Sequence, residues 1–334
     1  MSQSTLDIPW YGIYWLCYGH AILDNLYPLF LHLKKLNFPN ANVTMIQDAR
    51  SEMPAYVPQI LTFLNCSASK NIVSKDDVKP KNQIGFIAHD AKCQALQSQV
   101  CKMYQDNGNQ LNVAFVADDS IRSPELAEYV NMFTKHYDHV KQERLVTISL
   151  RYDRKITNLD VLCRIIEKYG YAVEMIDFST MSIEKQIIQM RRTQILIGSY
   201  GSNLVNGIFL PINSKVIVCW PNPDVKQFWP RRHCVIHQSI LLLGHVICEL
   251  DKTYYDQKDD YNHLSHHHWQ NDGDIIRDGN VLKLNPSKNN VNTVVNYPGM
   301  NYHLLQVNFT VDPEQFTHLF EKITNNTIVP IIIK

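Results

Sequence analysis

The sequence predicts an α/β protein made of two Rossmann-like halves. Short runs of β-branched and aliphatic residues alternate with amphipathic segments of helical period. Glycines and capping residues separate these segments at short spacing. The alternation occurs in both halves of the 334-residue chain. Because strands and helices that alternate in this way form parallel sheets covered by helices, we expect two parallel sheets that face a cleft.

The alternation is clearest between Leu145 and Pro221. Thr157 and Asp160 resemble a capping box that opens a helix, and Gly170 ends that helix. The predicted strands cover residues 145–150, 172–178, 194–198 and 215–220, and the predicted helices begin directly after Thr157, at Ile183 and at Ser202. This stretch therefore predicts a complete Rossmann-like half.

The first 140 residues show the same alternation more weakly. The predicted helices cover residues 19–35, 56–64, 91–104 and 125–136, and the predicted strands cover residues 43–47, 83–88 and 113–116. The polar stretch 135–144 is the best candidate for a linker. We therefore expect one domain at residues 1–140 and a second at 141–252. A polar C-terminal segment, 253–334, is expected to pack back on the core.

The composition excludes several classes of protein. Hydrophobic residues make up 45% of the chain and charged residues 19%, which supplies a sizeable core and excludes a disordered chain. Lysine plus arginine number 32 and aspartate plus glutamate also number 32. This balance gives no support to a partner such as nucleic acid or an anionic membrane surface. Apolar stretches such as 240–243 are far shorter than the roughly 18 residues of a membrane span.

The cysteines, the histidines and the N-terminus predict neither a metal site nor secretion. Eight cysteines stand singly without a C-x-x-C pair, and the histidine run 266–268 lacks the ligand spacing of a structural zinc site. The first residues show no basic and apolar regions of a signal peptide. We expect a cytoplasmic protein in a reducing compartment. A luminal chain whose leader has been removed is the alternative.

The first group of residues that could carry chemistry lies in the run G-H-A-I-L-D-N-L-Y-P-L-F, which begins at Gly19. His20 and Asp24 are four residues apart, so a helix brings both side chains onto one face. A histidine and a carboxylate that face a cleft are suited to act as a general base and its partner. An ordinary polar pair on a partly buried helix is the alternative.

The second group follows two of the predicted strands. Arg151 and Arg154 come after the strand that ends at residue 150, and the turn 198–206 comes after the strand 194–198. Ligands of open α/β sheets bind at the carboxyl ends of strands. Two guanidinium groups and the N–H groups of a tight turn can neutralise a diphosphate. The turn has neither the G-x-G-x-x-G spacing nor a Walker lysine, which counts against an NAD dehydrogenase and a P-loop ATPase.

Three motifs in order resemble glycosyltransferase family 61. They are the run at Gly19, the run S-L-R-Y-D-R-K-I-T-N from Ser149, and the run I-G-S-Y-G-S-N-L-V-N-G-I-F-L-P from Ile197. The resemblance implies an inverting enzyme of the GT-B architecture, with the acceptor beside the first domain and the donor bound by the second. The donor it implies is a nucleotide diphosphate sugar, expected to be UDP-linked, and the acceptor is a glycan or protein hydroxyl. It implies no cofactor and no obligatory metal.

The resemblance also assigns roles to residues. It favours Asp24 as the base and His20 as its partner, although these two roles could be exchanged. The positions that it assigns to the nucleotide sugar are Arg151, Arg154, Asn158, Tyr200, Gly201, Ser202, Asn203, Leu204 and Asn206.

Two departures from the family pattern stand out. One spacer residue is missing between Arg151 and Arg154, and Tyr200 replaces the usual histidine. A tyrosine can donate to a phosphate or stack on a base, but it is not a cation near pH 7. More of the leaving-group charge would then fall on the arginines. The same replacement motivates the alternative function, a non-catalytic relative that binds glycan or nucleotide sugar.

Overall fold

The computed structural model describes residues 6–11, 18–38, 41–46, 54–69, 114–151, 154–221, 235–250, 253–255, 275–278, 281–284 and 308–333, and the structural statements below concern these residues.

A three-stranded parallel sheet lies in the N-terminal part of the chain. Its strands are β1 (Leu6–Tyr11), β2 (Ala41–Ile46) and β3 (Cys66–Ser69), in that order. Between β1 and β2, a π-helix (His20–Leu26) continues directly into α1 (Tyr27–Lys35). Helix α2 (Tyr56–Phe63) precedes β3.

The middle of the chain supplies six strands of a larger sheet. These strands are β4 (Ala114–Ala117), β5 (Leu145–Ser149), β6 (Ala172–Ile176), β7 (Ile195–Ser199), β8 (Lys215–Cys219) and β9 (Val246–Leu250). The α-helices that follow them are α3 (Pro124–Thr134), α4 (Leu159–Lys168), α5 (Ile183–Arg192) and α6 (Val235–Leu242). Short 3₁₀ helices cover Asp119–Ile121, Lys135–Tyr137, Phe178–Thr180 and Ser202–Phe209.

The C-terminal segment adds short strands, one helix and the last strand of the larger sheet. Strands β10 (Thr253–Tyr255) and β13 (Phe309–Val311) form one antiparallel pair, and β11 (Ile275–Asp278) and β12 (Val281–Leu284) form another. Helix α7 (Pro313–Thr324) leads to β14 (Ile331–Ile333).

The seven strands of the larger sheet have the order β14-β4-β9-β8-β7-β5-β6. Strands β5 to β9 are all parallel, whereas β4 runs antiparallel to β9. Among the five parallel strands, β6 lies beside β5 at the edge of the sheet, and β7, β8 and β9 follow in order on the other side of β5. This is the doubly wound order of flavodoxin-like sheets, in which the direction of winding reverses between the first and third strands, here β5 and β7.

Each face of the larger sheet is covered by its own apolar core. On one face, Leu196 and Val218 pack with α3, α5, α6 and the helix Ser202–Phe209, and this core continues to Ile8 and Val43 of the small sheet. On the other face, Ile197 packs with α4, α7 and β13. The connection after β5 therefore leaves the sheet on one face and the connection after β7 leaves it on the other.

The mixed α/β fold with a parallel sheet is confirmed. The predicted strands at 145–150, 172–178, 194–198 and 215–220 are present with ends shifted by one or two residues. The division into two GT-B domains that face a cleft stays a prediction, as do the domain boundaries. β4, from the first predicted domain, and β14, from the predicted C-terminal segment, both belong to the larger sheet.

The predicted capping box at Thr157 and Asp160 is wrong. Helix α4 has Asn158 at its N-cap, and the Thr157 hydroxyl contacts β13 instead, where it donates to the carbonyl of Phe309 over 3.2 Å. Asp160 forms an ion pair with Arg164. The sequence patterns also missed β9, whose apolar run is interrupted by the buried Glu249. The predicted strand 83–88, the predicted helix 91–104 and the histidine run 266–268 lie outside the described residues.

In the part of the chain that the structure describes, no helix is long and apolar enough to cross a bilayer. The cysteines described there with their side chains, Cys66, Cys163, Cys219 and Cys248, are free thiols. Burial raises the pKa of Cys219 and that of Cys248 to about 12, so both behave as neutral, small hydrophobic residues.

His245 is a buried titratable group just before β9, with only 2% of its surface exposed. Burial, and after it the charges of Arg122 and Arg191, lower the pKa of His245 to about 4. In the unfolded chain the same imidazole has its ordinary pKa of about 6.5. Between these two values the unfolded chain binds the proton more strongly than the folded chain does.

We therefore predict that the free energy of unfolding decreases as the pH falls from about 6.5 to 4, with a contribution from His245 of about 3 kcal/mol. His245→Gln should remove this contribution, as measured by urea unfolding at pH 7 and pH 4. His318→Gln, which changes an exposed histidine on α7, is the matched control and should keep the wild-type pH dependence. The same pH dependence in His245→Gln and in the wild type would contradict the prediction.

Candidate functional site

The carboxyl ends of β5 and β7 bring the two arginines and the glycine turn together. These strands are direct neighbours, and Ser149 lies opposite Gly198 in the register. Arg151 follows β5 by two residues, and Gly201 follows β7 by two residues. Because the connections after β5 and β7 leave on opposite faces of the sheet, a crevice is expected between them.

Gly201 provides the space that the arginines occupy. A Cβ atom on Gly201 would lie 2.4 Å from Nη1 of Arg151 and 3.1 Å from Nη1 of Arg154. The backbone of Gly201, at φ 157° and ψ −179°, is in a region that is adopted almost only by glycine. Both guanidinium groups therefore lie directly against the turn, and any side chain at this position would displace them.

Hydrogen bonds fix the direction of both arginines. Nη1 of Arg151 donates to Oδ1 of Asn203 over 3.1 Å, and Nδ2 of Asn203 donates in turn to the hydroxyl of Ser149. Nη1 of Arg154 donates to the carbonyl of Tyr200 over 2.7 Å. Both arginine side chains remain partly exposed. Two cations held side by side with solvent access are suited to bind an anion with two charged groups.

Tyr200 contributes packing and a backbone carbonyl. Its ring stacks on that of Trp220, with centroids 4.4 Å apart and an angle of 11° between the planes. Only 4% of Tyr200 is exposed, and Trp220 is fully buried. The tyrosine that stands in place of the family histidine thus has its ring in the core, and its carbonyl contacts Arg154.

Asn158 and Leu204 make contacts that hold elements of the fold together. Nδ2 of Asn158 donates to the carbonyl of Val311 over 2.8 Å, and Oδ1 of Asn158 accepts from the N–H of Val311 over 3.1 Å. Leu204 is buried against Gly198, where a Cβ atom would lie 2.9 Å from Leu204 Cδ2. Asn158 therefore connects α4 to β13, and Leu204 holds the helix Ser202–Phe209 on β7. Their predicted role in donor binding stays a prediction.

The helix that carries His20 and Asp24 begins at the glycine turn. A Cβ atom on Gly19 would lie 3.5 Å from both Cα and Cβ of Ser202. The hydroxyl of Tyr18 donates to Oδ1 of the buried Asn206 over 2.9 Å. Asp24 is partly exposed on the π-helix, and the backbone of His20 forms the first residue of that helix. The structure thus brings the backbone of the first group of predicted residues next to the second group.

A π-helix replaces the predicted α-helix over residues 20–26. The carbonyl of Ile22 accepts from the N–H of Tyr27, five residues later, and also from the hydroxyl of Tyr129 on α3 over 2.9 Å. Such wide turns inside helices are frequent at functional sites. His20 and Asp24 lie less than one turn apart in a π-helix, so their backbones still share one side of the helix.

Sequence patterns missed two residues of this site. Ser149 holds Asn203, and Tyr18 holds Asn206, in both cases across a long separation along the chain. Both lie beside residues that the sequence singled out, because Ser149 opens the second family motif within the predicted strand 145–150 and Tyr18 directly precedes the G-H run.

The comparisons with known proteins agree with the motifs. The family model described as Glycosyltransferase 61 matches residues 18–217, which is more than half of the chain. The match begins at Tyr18 and covers the helix of His20 and Asp24, both arginines and the glycine turn. No curated protein gives a significant match. The family model confirms the resemblance that the three motifs indicated.

The close approach of the arginines to Gly201 predicts that a methyl side chain at this position lowers the stability of the fold. Gly201→Ala should destabilise the fold by about 1–3 kcal/mol, because alanine rarely adopts this backbone conformation and its Cβ atom overlaps Arg151. Urea unfolding measures the change. Gly19→Ala is the matched control, since its Cβ atom would make only ordinary contacts. Equal stability of the two variants would argue against the close approach of the arginines to the turn.

Proposed function

Because the chain belongs to glycosyltransferase family 61 and is therefore a glycosyltransferase, we propose that it transfers a sugar from a nucleotide diphosphate donor, with inversion at the anomeric carbon. The donor is a UDP-sugar, and the acceptor is a hydroxyl group of a glycan or glycoprotein. The observation that carries the proposal is the convergence of Arg151 and Arg154 on Gly201 between the carboxyl ends of β5 and β7.

The diphosphate of the donor lies in this crevice and is neutralised by the two guanidinium groups. When the bond between the sugar and the diphosphate breaks, the leaving oxygen takes the electron pair and gains negative charge. Fixed donors that already point at this position stabilise the charge without rearrangement. The N–H groups at the start of the helix Ser202–Phe209 add to the same potential. The arginines thus supply the charge that a divalent metal ion supplies in other transferases, and no metal is required.

The acceptor approaches from the side of the π-helix. Asp24 or His20 removes the proton of the acceptor hydroxyl, and the hydroxyl oxygen then attacks the anomeric carbon from the face opposite the diphosphate. The other member of the pair orients the base. The contact between Gly19 and Ser202 supports this arrangement, because it brings the backbone of the base-bearing helix next to the donor turn.

Loss of either arginine should weaken donor binding. Arg151→Ala and Arg154→Ala should each weaken UDP affinity in calorimetry by about 10- to 100-fold, as expected for the loss of a charge-assisted hydrogen bond. Arg164→Ala, which removes an exposed arginine of α4, is the matched control and should bind UDP like the wild type. UDP affinity that is unchanged in both site variants would remove the arginines from the donor site.

Loss of the proposed base or of its partner should slow sugar transfer. Asp24→Asn and His20→Gln should each lower the rate of sugar transfer by about 10²- to 10⁴-fold while UDP affinity is retained, because a general base contributes to the reaction and not to donor binding. A screen of UDP-sugars by mass spectrometry first identifies the donor that the wild type consumes. Donor binding without UDP release for every sugar tested would favour the non-catalytic alternative.

A further inference from the structure

One partly buried hydrogen bond joins the helix of His20 and Asp24 to the donor turn. The hydroxyl of Tyr18 donates to Oδ1 of Asn206 over 2.9 Å, and the two residues are 188 positions apart in the chain. Tyr18 lies two residues before His20, and Asn206 lies in the helix that begins at Ser202.

The surroundings of Tyr18 keep its hydroxyl a donor. Burial, and after it the neighbouring Tyr129 and Tyr56, raise the pKa of Tyr18 well above its ordinary value of 10. The ring of Tyr56 meets that of Tyr18 edge-on, with centroids 5.1 Å apart. The proton therefore stays on the Tyr18 oxygen at any working pH, and the direction of the bond to Asn206 does not change.

Burial of the Asn206 amide costs free energy of folding. Asn206 is fully buried, and its Nδ2 atom has no hydrogen-bond partner among the described residues. A buried amide that leaves a donor unsatisfied stabilises the fold less than an apolar pair of the same size would. The tyrosine–asparagine pair therefore stabilises the fold less than an apolar pair would. Unlike apolar packing, however, its hydrogen bond fixes the direction and distance between the start of the π-helix and the helix Ser202–Phe209.

We infer that Tyr18 is a positioning residue, whose hydrogen bond to Asn206 holds the start of the π-helix, and with it the His20–Asp24 pair, against the Gly201–Ser202 turn. This inference rests on the proposed function for its effect on the reaction. Small displacements of a base relative to the reacting carbon reduce the rate strongly, whereas they leave donor binding unchanged.

Tyr18→Phe tests the inference, because it removes one oxygen and keeps the ring. We expect the transfer rate constant to fall by about 10- to 100-fold, with KM for the donor and UDP affinity within about twofold of the wild type. Deuterium exchange of the amides of residues 20–26 should become about 2- to 10-fold faster, because the helix start loses one hydrogen bond. Tyr171→Phe, a tyrosine in the opposite core, is the matched control and should change neither quantity.

A double-mutant cycle with Asn206→Leu isolates the contribution of the Tyr18–Asn206 hydrogen bond to the transfer rate. If loss of this bond causes the slower transfer in Tyr18→Phe, the double variant Tyr18→Phe/Asn206→Leu should transfer sugar no more slowly than Asn206→Leu alone. Wild-type transfer and exchange in Tyr18→Phe would overturn the inference and leave the proposed function intact. If instead the wild type releases no UDP from any donor, the proposed function fails, and the exchange experiment still tests the bond.

Discussion

The direct pairing of β5 with β7 is the constraint on which the site depends. Since β6 lies on the far side of β5, the connection after β5 covers one face of the sheet and the connection after β7 covers the other. The backbone segments that follow β5 and β7 diverge at the carboxyl edge of the sheet. There the two arginines after β5 contact the glycine turn after β7. A strand order that placed another strand between β5 and β7 would separate these two sets of residues by about 5 Å for each strand inserted.

The N-terminal part of the chain is attached to this edge mainly through packing. One apolar core runs without interruption from Ile8 and Val43 of the small sheet, through the π-helix and α3, to Leu196 and Val218 of the larger sheet. Apolar packing constrains the total volume of the core side chains more than it constrains the orientation of the packed elements. Directional contacts add orientation, and they include the hydrogen bond from the hydroxyl of Tyr129 to the carbonyl of Ile22 and the one from the hydroxyl of Tyr18 to Asn206. The π-helix that carries the residues proposed to transfer the proton is thus packed into the same apolar core as one face of the larger sheet.

A family motif does not by itself identify the contacts that its residues make within the fold, as Asn158 and Tyr200 show. Asn158 fits the family pattern, yet its amide is occupied on both sides by the backbone of Val311. Tyr200 departs from the pattern, yet its ring is stacked in the core and its carbonyl holds Arg154. The position is therefore filled by a side chain that supports the turn. The charge expected from a histidine is absent there, and the two arginines are the cations that the described part of this edge offers.

Local patterns in the sequence were sufficient for the type and the ends of most elements between residues 145 and 220. Hydrophobic period, caps and glycine stops are properties of neighbouring residues, and they also place Arg151, Arg154 and Gly201 after strands. The strand order, the π-helix and the partners of Tyr18, Ser149 and Asn158 depend on contacts between residues that are tens to hundreds of positions apart. Such contacts carry no periodic signal in one sequence, because they arise only when separate elements pack on a common core. The positions of Arg151, Arg154 and Gly201 directly after strands are thus predictable from the chain, whereas their approach to one another follows from the pairing of β5 with β7.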